Sequence, residues 1–148
     1  MKTTCVGVLK IRGEEKDIIR FLENELELKN TDRELKIIVD GDNIELDCEC
    51  EKCYLKQATN GFIWGDIYCS LKDNLIAVFY YQKGAVNVDE LATISKCYNL
   101  DFKISAKQAE HEFIQDIEIQ KGDIICNSTK RYTTRASFIW DAPDLLYY

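Results

Sequence analysis

Over residues 44–51 acidic side chains alternate with apolar or cysteine residues, so that Glu45, Asp47, Glu49 and Glu51 are charged while Ile44, Leu46, Cys48 and Cys50 are not. Alternation with a period of two fits a β-strand, because only there do successive side chains point to opposite faces. At about 3.3 Å of rise per residue the four carboxylates form a row spaced by roughly 6.6 Å. The thiol and aliphatic side of the same strand needs cover. A chain with such a segment is committed to a sheet that has one wet face and one buried face.

The remaining elements are read in the same way. Residues 5–11 alternate and end at Gly13, which predicts a strand. From Glu14 to about Leu28, Ile18, Phe21, Leu22 and Leu26 recur at spacings of three and four, and acidic residues sit at the start, where the helix dipole favours them. Residues 35–39 form a short apolar strand, and Asp40-Gly41-Asp42-Asn43 has the composition of a tight turn, so this strand pairs as a hairpin with the acid-faced one. A strand over 62–69 and a turn at Lys72-Asp73-Asn74 follow. Residues 75–81 are apolar without alternation, which predicts a central strand covered on both faces. Asn87, with Glu90 three residues later, caps a second helix whose Val88, Leu91, Ala92 and Tyr98 face inward, and Asn99 stops it. Three strands close the pattern at 101–106, 112–119 and 123–128, the last two joined by Gln120-Lys121-Gly122.

Two helices, each between strands that can lie side by side, predict right-handed crossovers. The fold class is α+β, a ferredoxin-like arrangement in which a mainly antiparallel sheet carries two helices on one face. With 148 residues, a single proline at position 143 and seven glycines, no linker is evident. Residues 1–130 read as one α+β domain, and 131–148 as an aromatic C-terminal extension packed on the domain or on a partner.

Net charge is −7, which argues against electrostatic capture of nucleic acid or of an anionic membrane and favours a basic protein partner. The first residues hold no apolar run of signal-peptide length, and no segment is long and apolar enough to span a bilayer, which predicts a cytoplasmic protein. Seven cysteines, at 5, 48, 50, 53, 69, 97 and 126, are an odd number and mostly sit in apolar runs, so they read as reduced thiols acting as small hydrophobes.

Several segments together resemble a family of small phage and plasmid proteins. They are the opening Thr3-Thr4-Cys5-Val6-Gly7-Val8-Leu9-Lys10-Ile11-Arg12-Gly13-Glu14-Glu15, the Trp64-Gly65-Asp66 step, and the block from Leu75 to Ile125 with its aromatic strand, its helix over 91–98, Leu100-Asp101-Phe102 and Lys121-Gly122-Asp123-Ile124-Ile125. The family is built on the ferredoxin-like domain of Api-like proteins, whose biochemical role is undefined. The resemblance implies a mobile-element origin and a bacterial host, and it assigns no functional residue.

Four constellations are candidates for function. The acidic row at Glu45, Asp47, Glu49 and Glu51 is joined by a second one at Glu110, Glu112, Asp116 and Glu118, broken by Ile114. Together they read either as an ordinary solvated sheet face or as a mimic of nucleic-acid phosphates. Cys48, Cys50 and Cys53 make a C-x-C-x-x-C cluster that Cys69 or His111 would complete as a zinc site; buried thiols are the simpler reading, with no cofactor. His111 stands between Glu110 and Glu112, yet strand alternation would turn both carboxylates away from the imidazole. The C-terminal run Phe138-Ile139-Trp140 and Leu145-Leu146-Tyr147-Tyr148 supplies aromatic anchors for docking, in the same molecule, on a partner or on a second copy in a homodimer.

No nucleophile elbow, dinucleotide fingerprint or phosphate loop is present, so no catalytic residue is assigned. The expected function is non-enzymatic: a phage protein that inhibits a host nucleic-acid-dependent defence complex, such as a CRISPR effector, by occluding its basic surface. The contacts would come from Glu45, Asp47, Glu49, Glu51, Asp116 and Glu118, with Phe138, Trp140 and Tyr147. The alternatives are a zinc-binding accessory domain built on Cys48, Cys50 and Cys53, and an uncharacterised enzyme.

Overall fold

A computed structural model describes residues 4–29, 31–47, 52–64 and 67–143. In chain order its elements are β1 (Thr4–Arg12), α1 (Glu15–Glu25), β2 (Leu26–Glu27), β3 (Lys36–Asp40), β4 (Asn43–Asp47), β5 (Lys52–Leu55), β6 (Gly61–Trp64), β7 (Ile67–Ser70), β8 (Leu75–Lys83), α2 (Val88–Tyr98), β9 (Asp101–Gln108), β10 (Phe113–Gln120), β11 (Asp123–Arg131) and α3 (Arg135–Asp141). The class is α+β. Eight strands form one antiparallel sheet in the order β11-β10-β9-β1-β8-β6-β5-β2, and β3-β4-β7 form a second, three-stranded one.

Strand β1 lies between β8 and β9 and is antiparallel to both, so α2 crosses between two parallel strands with β1 inserted. That insertion demands close backbones. A Cβ on Gly7 would come within 2.6 Å of the Ser105 carbonyl oxygen, and glycine lets β1 and β9 meet there.

One face of the large sheet is covered. Leu9 and Ile11 of β1, Ile76 and Val78 of β8, and Phe102 and Ile104 of β9 point into a single core with Ile18, Phe21 and Leu22 of α1 and Leu91 and Ile94 of α2. Phe21 sits at the centre, its ring 5.6 Å from Tyr98 and 5.8 Å from Phe102, in both cases edge to face. Ile44, Leu46, Ile67 and Leu71 of the small sheet and its turn join the same cluster.

Helix α2 is bounded as its sequence predicts: the Asn87 side chain accepts from the Glu90 N–H at 3.1 Å, and Asn99 takes a left-handed conformation that returns its own N–H to the last turn. The β3–β4 hairpin also forms, with Gly41 at positive φ in its turn.

Other elements differ from the sequence reading, each for a physical reason. Helix α1 stops at Glu25, because Leu26 and Glu27 pair with Leu55 and Tyr54 as a short strand. The predicted strand over 62–69 is two strands on different sheets. Strand β8 is central in the sheet but covered on one side only: Ile76, Val78, Tyr80 and Gln82 are buried, while Leu75, Ala77, Phe79 and Lys83 are exposed. Apolar residues at the outward positions hid its alternation. Strand β11 runs to Arg131, exposed along its whole length, and the tail beyond it folds into α3.

Candidate interaction surfaces

The acidic strand keeps its predicted phase. Ile44 and Leu46 are buried and Glu45 is exposed, with Asp47 half-buried on the same side. Register places Lys36 opposite Asp47 and Ile38 opposite Glu45, so a cation and an aliphatic side chain flank this part of the row. Glu49 and Glu51 lie outside the described residues, as do Cys48, Cys50 and Tyr147.

The second acidic row is shorter than its sequence suggests. Glu110 and Glu112 belong to the turn between β9 and β10, with Glu112 at φ 50°, and so do not continue the strand face. Asp116 and Glu118 do point outward from β10, but Lys103 on the neighbouring strand stands opposite Glu118, its Nζ 3.9 Å from Oε1. These acids lie on the eight-stranded sheet and the β4 acids on the three-stranded one. The structure does not merge them into one continuous strip of hydrogen-bonded strands.

The outward face of the large sheet is the feature that sequence reading missed. Register aligns Tyr54, Phe62 and Tyr81 across β5, β6 and β8, then Val6 on β1. The Phe62 and Tyr81 rings stack at 5.2 Å and 9°, and Tyr54 lies 5.5 Å from Phe62. Lys52 holds its ammonium 4.8 Å from the Phe62 centroid and 5.7 Å from that of Trp64. The next row places Phe79 against Val8, and the one after places Ala77 against Lys10 and Lys10 against Lys103. Trp64 is 49% exposed and Phe79 36%.

Three shallow grooves run over this face. One of about 320 Å³ is lined by Trp64, Phe79, Ala77 and Val8. A second, about 370 Å³, begins at the same Val8 and continues past Lys10, Lys103 and Ser105 to Asp116 and Pro143. The third, about 210 Å³, shares Lys10 and Lys103 and ends at Arg12, Asp101 and Leu75.

Comparison with family models, curated proteins and solved structures finds no match. The surfaces are therefore read from their own chemistry. Among the described residues no three His, Cys, Asp or Glu side chains converge as a metal site. Cys53 is buried on the inward side of β5, while Cys97 and Cys126 are exposed. His111 is exposed in the β9–β10 turn, its backbone N–H donating to Gln108 Oε1 at 2.8 Å. Burial pushes the Cys5 thiol up to about 11, despite a hydrogen bond from the backbone near Val86 that acts the other way.

The C-terminal segment is anchored in part. Phe138 is buried and packs edge to face on Tyr132 at 5.7 Å, and Arg135 donates to the Ala109 carbonyl. Asp141 accepts from Tyr132 Oη at 2.7 Å and pairs with Lys130 Nζ at 3.1 Å, and these two contacts hold its carboxyl below the ordinary value. Trp140 lines a shallow surface groove with Lys130, Tyr132 and Asp141 and is 89% exposed.

Proposed function

We propose that the chain is a non-enzymatic interaction protein that docks an acid-bearing hairpin on a basic protein surface. The observation that carries the reading is the outward projection of Glu45 and Asp47 from β4 over a buried Ile44 and Leu46, with Asp40 and Asp42 exposed at the turn of the same hairpin. Carboxylates fixed on a strand meet lysine and arginine without first losing backbone entropy. No helix of the described residues is long and apolar enough to cross a membrane, which fits action in the cytoplasm of a bacterial host.

The strand order β9-β1-β8-β6, with α2 crossing over β1, supports a ferredoxin-like core to which the small sheet and β10-β11 are additions. The mobile-element origin is what the sequence resemblance to Api-like proteins implies. A host nucleic-acid-dependent defence complex, such as a CRISPR effector, then becomes the concrete partner. The test is binding of the purified protein to a panel of such effectors at low and high salt. Binding at low salt that falls at least tenfold for a Glu45→Lys, Asp47→Lys variant supports the reading. Absence of binding to every effector, or an unchanged affinity of the variant, ends it.

A further inference from the structure

We propose that the β6–β8–β1 part of the outward face of the eight-stranded sheet binds single-stranded nucleic acid, with bases on the aromatic end and phosphates along the lysines. The geometry begins at Trp64 and Phe79, two exposed aromatic residues that line one groove floored by Val8 and Ala77. A groove between exposed rings accepts a planar base by stacking, and every base has a face to offer. The Phe62–Tyr81 pair beside it is closed by mutual stacking and serves as the wall of the platform, with Trp64 edge-on to Phe62 at 6.3 Å and the Lys52 ammonium lying nearer Phe62 than Trp64.

From that end the surface is continuous. The shared Val8 leads to Lys10 and Lys103, and these lead to Arg12. Crossing β6, β8 and β1 takes two inter-strand steps, roughly 10 Å, and beyond them Pro143 lines the groove and Ile114 of β10 is buried, so the open stretch is the β6–β8–β1 part of the face.

Charge on this face opposes the charge of the whole chain. Lys10, Lys52 and Lys83 are on it with no acidic residue directly across the strands from them, except where Lys10 and Lys103 share one row with Glu118. Asp101 is held by Arg12 at 2.8 Å, and Asp116, between Ser105 and Ser128, is the acid that a strand of phosphates has to avoid. A polyanion is therefore drawn to the β6–β8–β1 side and repelled at the β10 side. A duplex gains little here because its base faces are already stacked. An aliphatic peptide would leave the lysines without anions, and an acidic peptide would leave the rings unused.

The experiment is fluorescence anisotropy of a labelled oligouridylate and a labelled oligothymidylate, each of about eight nucleotides, titrated with the intact protein at about 50 mM salt. The expected result is saturable binding of at least one strand, at least tenfold stronger than that of a duplex of equal length. Trp64→Ala and, independently, Phe79→Ala should each weaken it about tenfold or more with circular dichroism unchanged. Contacts from Lys10, Lys52 and Lys83 predict a slope of log affinity on log salt near −2, and Lys10→Gln should reduce its magnitude by about 0.7. In a Trp140→Phe background Trp64 is the remaining tryptophan, and its emission should be quenched by the bound strand.

No binding of either strand, or binding that both aromatic variants retain, overturns the proposal. So does an equal affinity for a poly-glutamate peptide, which would assign the face to acidic protein segments. A concentration-dependent dimer lost in Trp64→Ala would assign it to a second copy and overturn it equally. Because Glu45 and Asp47 belong to the other sheet, failure here leaves the hairpin reading standing, and the reverse holds as well.

Discussion

Tyr98 on α2 donates its hydroxyl to Glu25 Oε1 at the end of α1, at 3.2 Å, and both side chains are buried. The same carboxylate accepts from the Gln57 backbone N–H and from Gln57 Nε2, each at 2.7 Å, so one buried acid joins both helices to the loop after β5. Replacing it with Glu25→Leu leaves three donors facing an apolar group. The Tyr98 hydroxyl is buried and the Gln57 donors are partly so, and a buried donor left unpaired costs about 1–3 kcal/mol, so the variant should lose more stability than Tyr98→Phe, which removes a single bond. Urea midpoints of the two variants measure the difference; equal losses would mean that Glu25 is not the hub.

Two buried acids tie stability to alkaline pH. Burial raises Cys5 from 9.0 to about 11, and burial, reinforced by the Glu25 charge, raises Tyr98 from 10.0 to about 12. In both the fold favours the protonated form. The stabilisation is complete below the unfolded values of 9.0 and 10.0 and is lost as pH rises through about 11 and 12. Burial displaces Tyr80 in the same direction. Urea denaturation should give a steady midpoint up to pH 9 and a fall beyond it, with Cys5→Ala flattening the first part of that limb. A midpoint constant through pH 11 would contradict the assignment.

The hairpin and α2 were legible in the sequence because their signals are local: alternation at 44–47, an Asp-Gly turn, an Asn cap with Glu90. Strand β8 was not, because its exposed positions hold Leu75, Ala77 and Phe79, residues that a window reads as core. The aromatic row at Tyr54, Phe62 and Tyr81 was illegible for a different reason. It exists only through the register of three strands, and no stretch of sequence contains it. The acidic row on β10 failed at its start, where Glu110 and Glu112 turn the chain and do not extend a strand. Charge counted over the whole chain likewise concealed a lysine-bearing sheet face.

Gly7 offers a test of the packing beneath that face. Alanine normally suits a strand better than glycine, but here its methyl would sit 2.6 Å from the Ser105 carbonyl oxygen and 3.0 Å from Ala106 Cα. Backbone atoms in paired strands do not step aside cheaply, so the clash outweighs the entropic gain. Gly7→Ala should destabilise by about 1–3 kcal/mol and open amide exchange first across the β1–β9 pair. A neutral or stabilising result would show that β1 and β9 are further apart than the structure has them.

Phe138 and Trp140 share α3 but have opposite surroundings, buried in one case and solvent in the other. Phe138→Ala removes the helix's one buried anchor. Its cost, about 3–5 kcal/mol in a rigid core, is capped here by the free energy that docks a seven-residue helix, so the expected readout is local. Amides of residues 135–141 should lose protection while those of β1 and β8 keep theirs. Trp140→Ala should change stability by less than about 0.5 kcal/mol, because the ring touches little that it would leave exposed. A large aromatic held outward by the Tyr132–Asp141 and Lys130–Asp141 contacts is then available to a partner or to a second copy. Sedimentation equilibrium separates these: a dimer weakened by Trp140→Ala assigns the ring to self-association, whereas a monomer at all concentrations leaves it to a different protein.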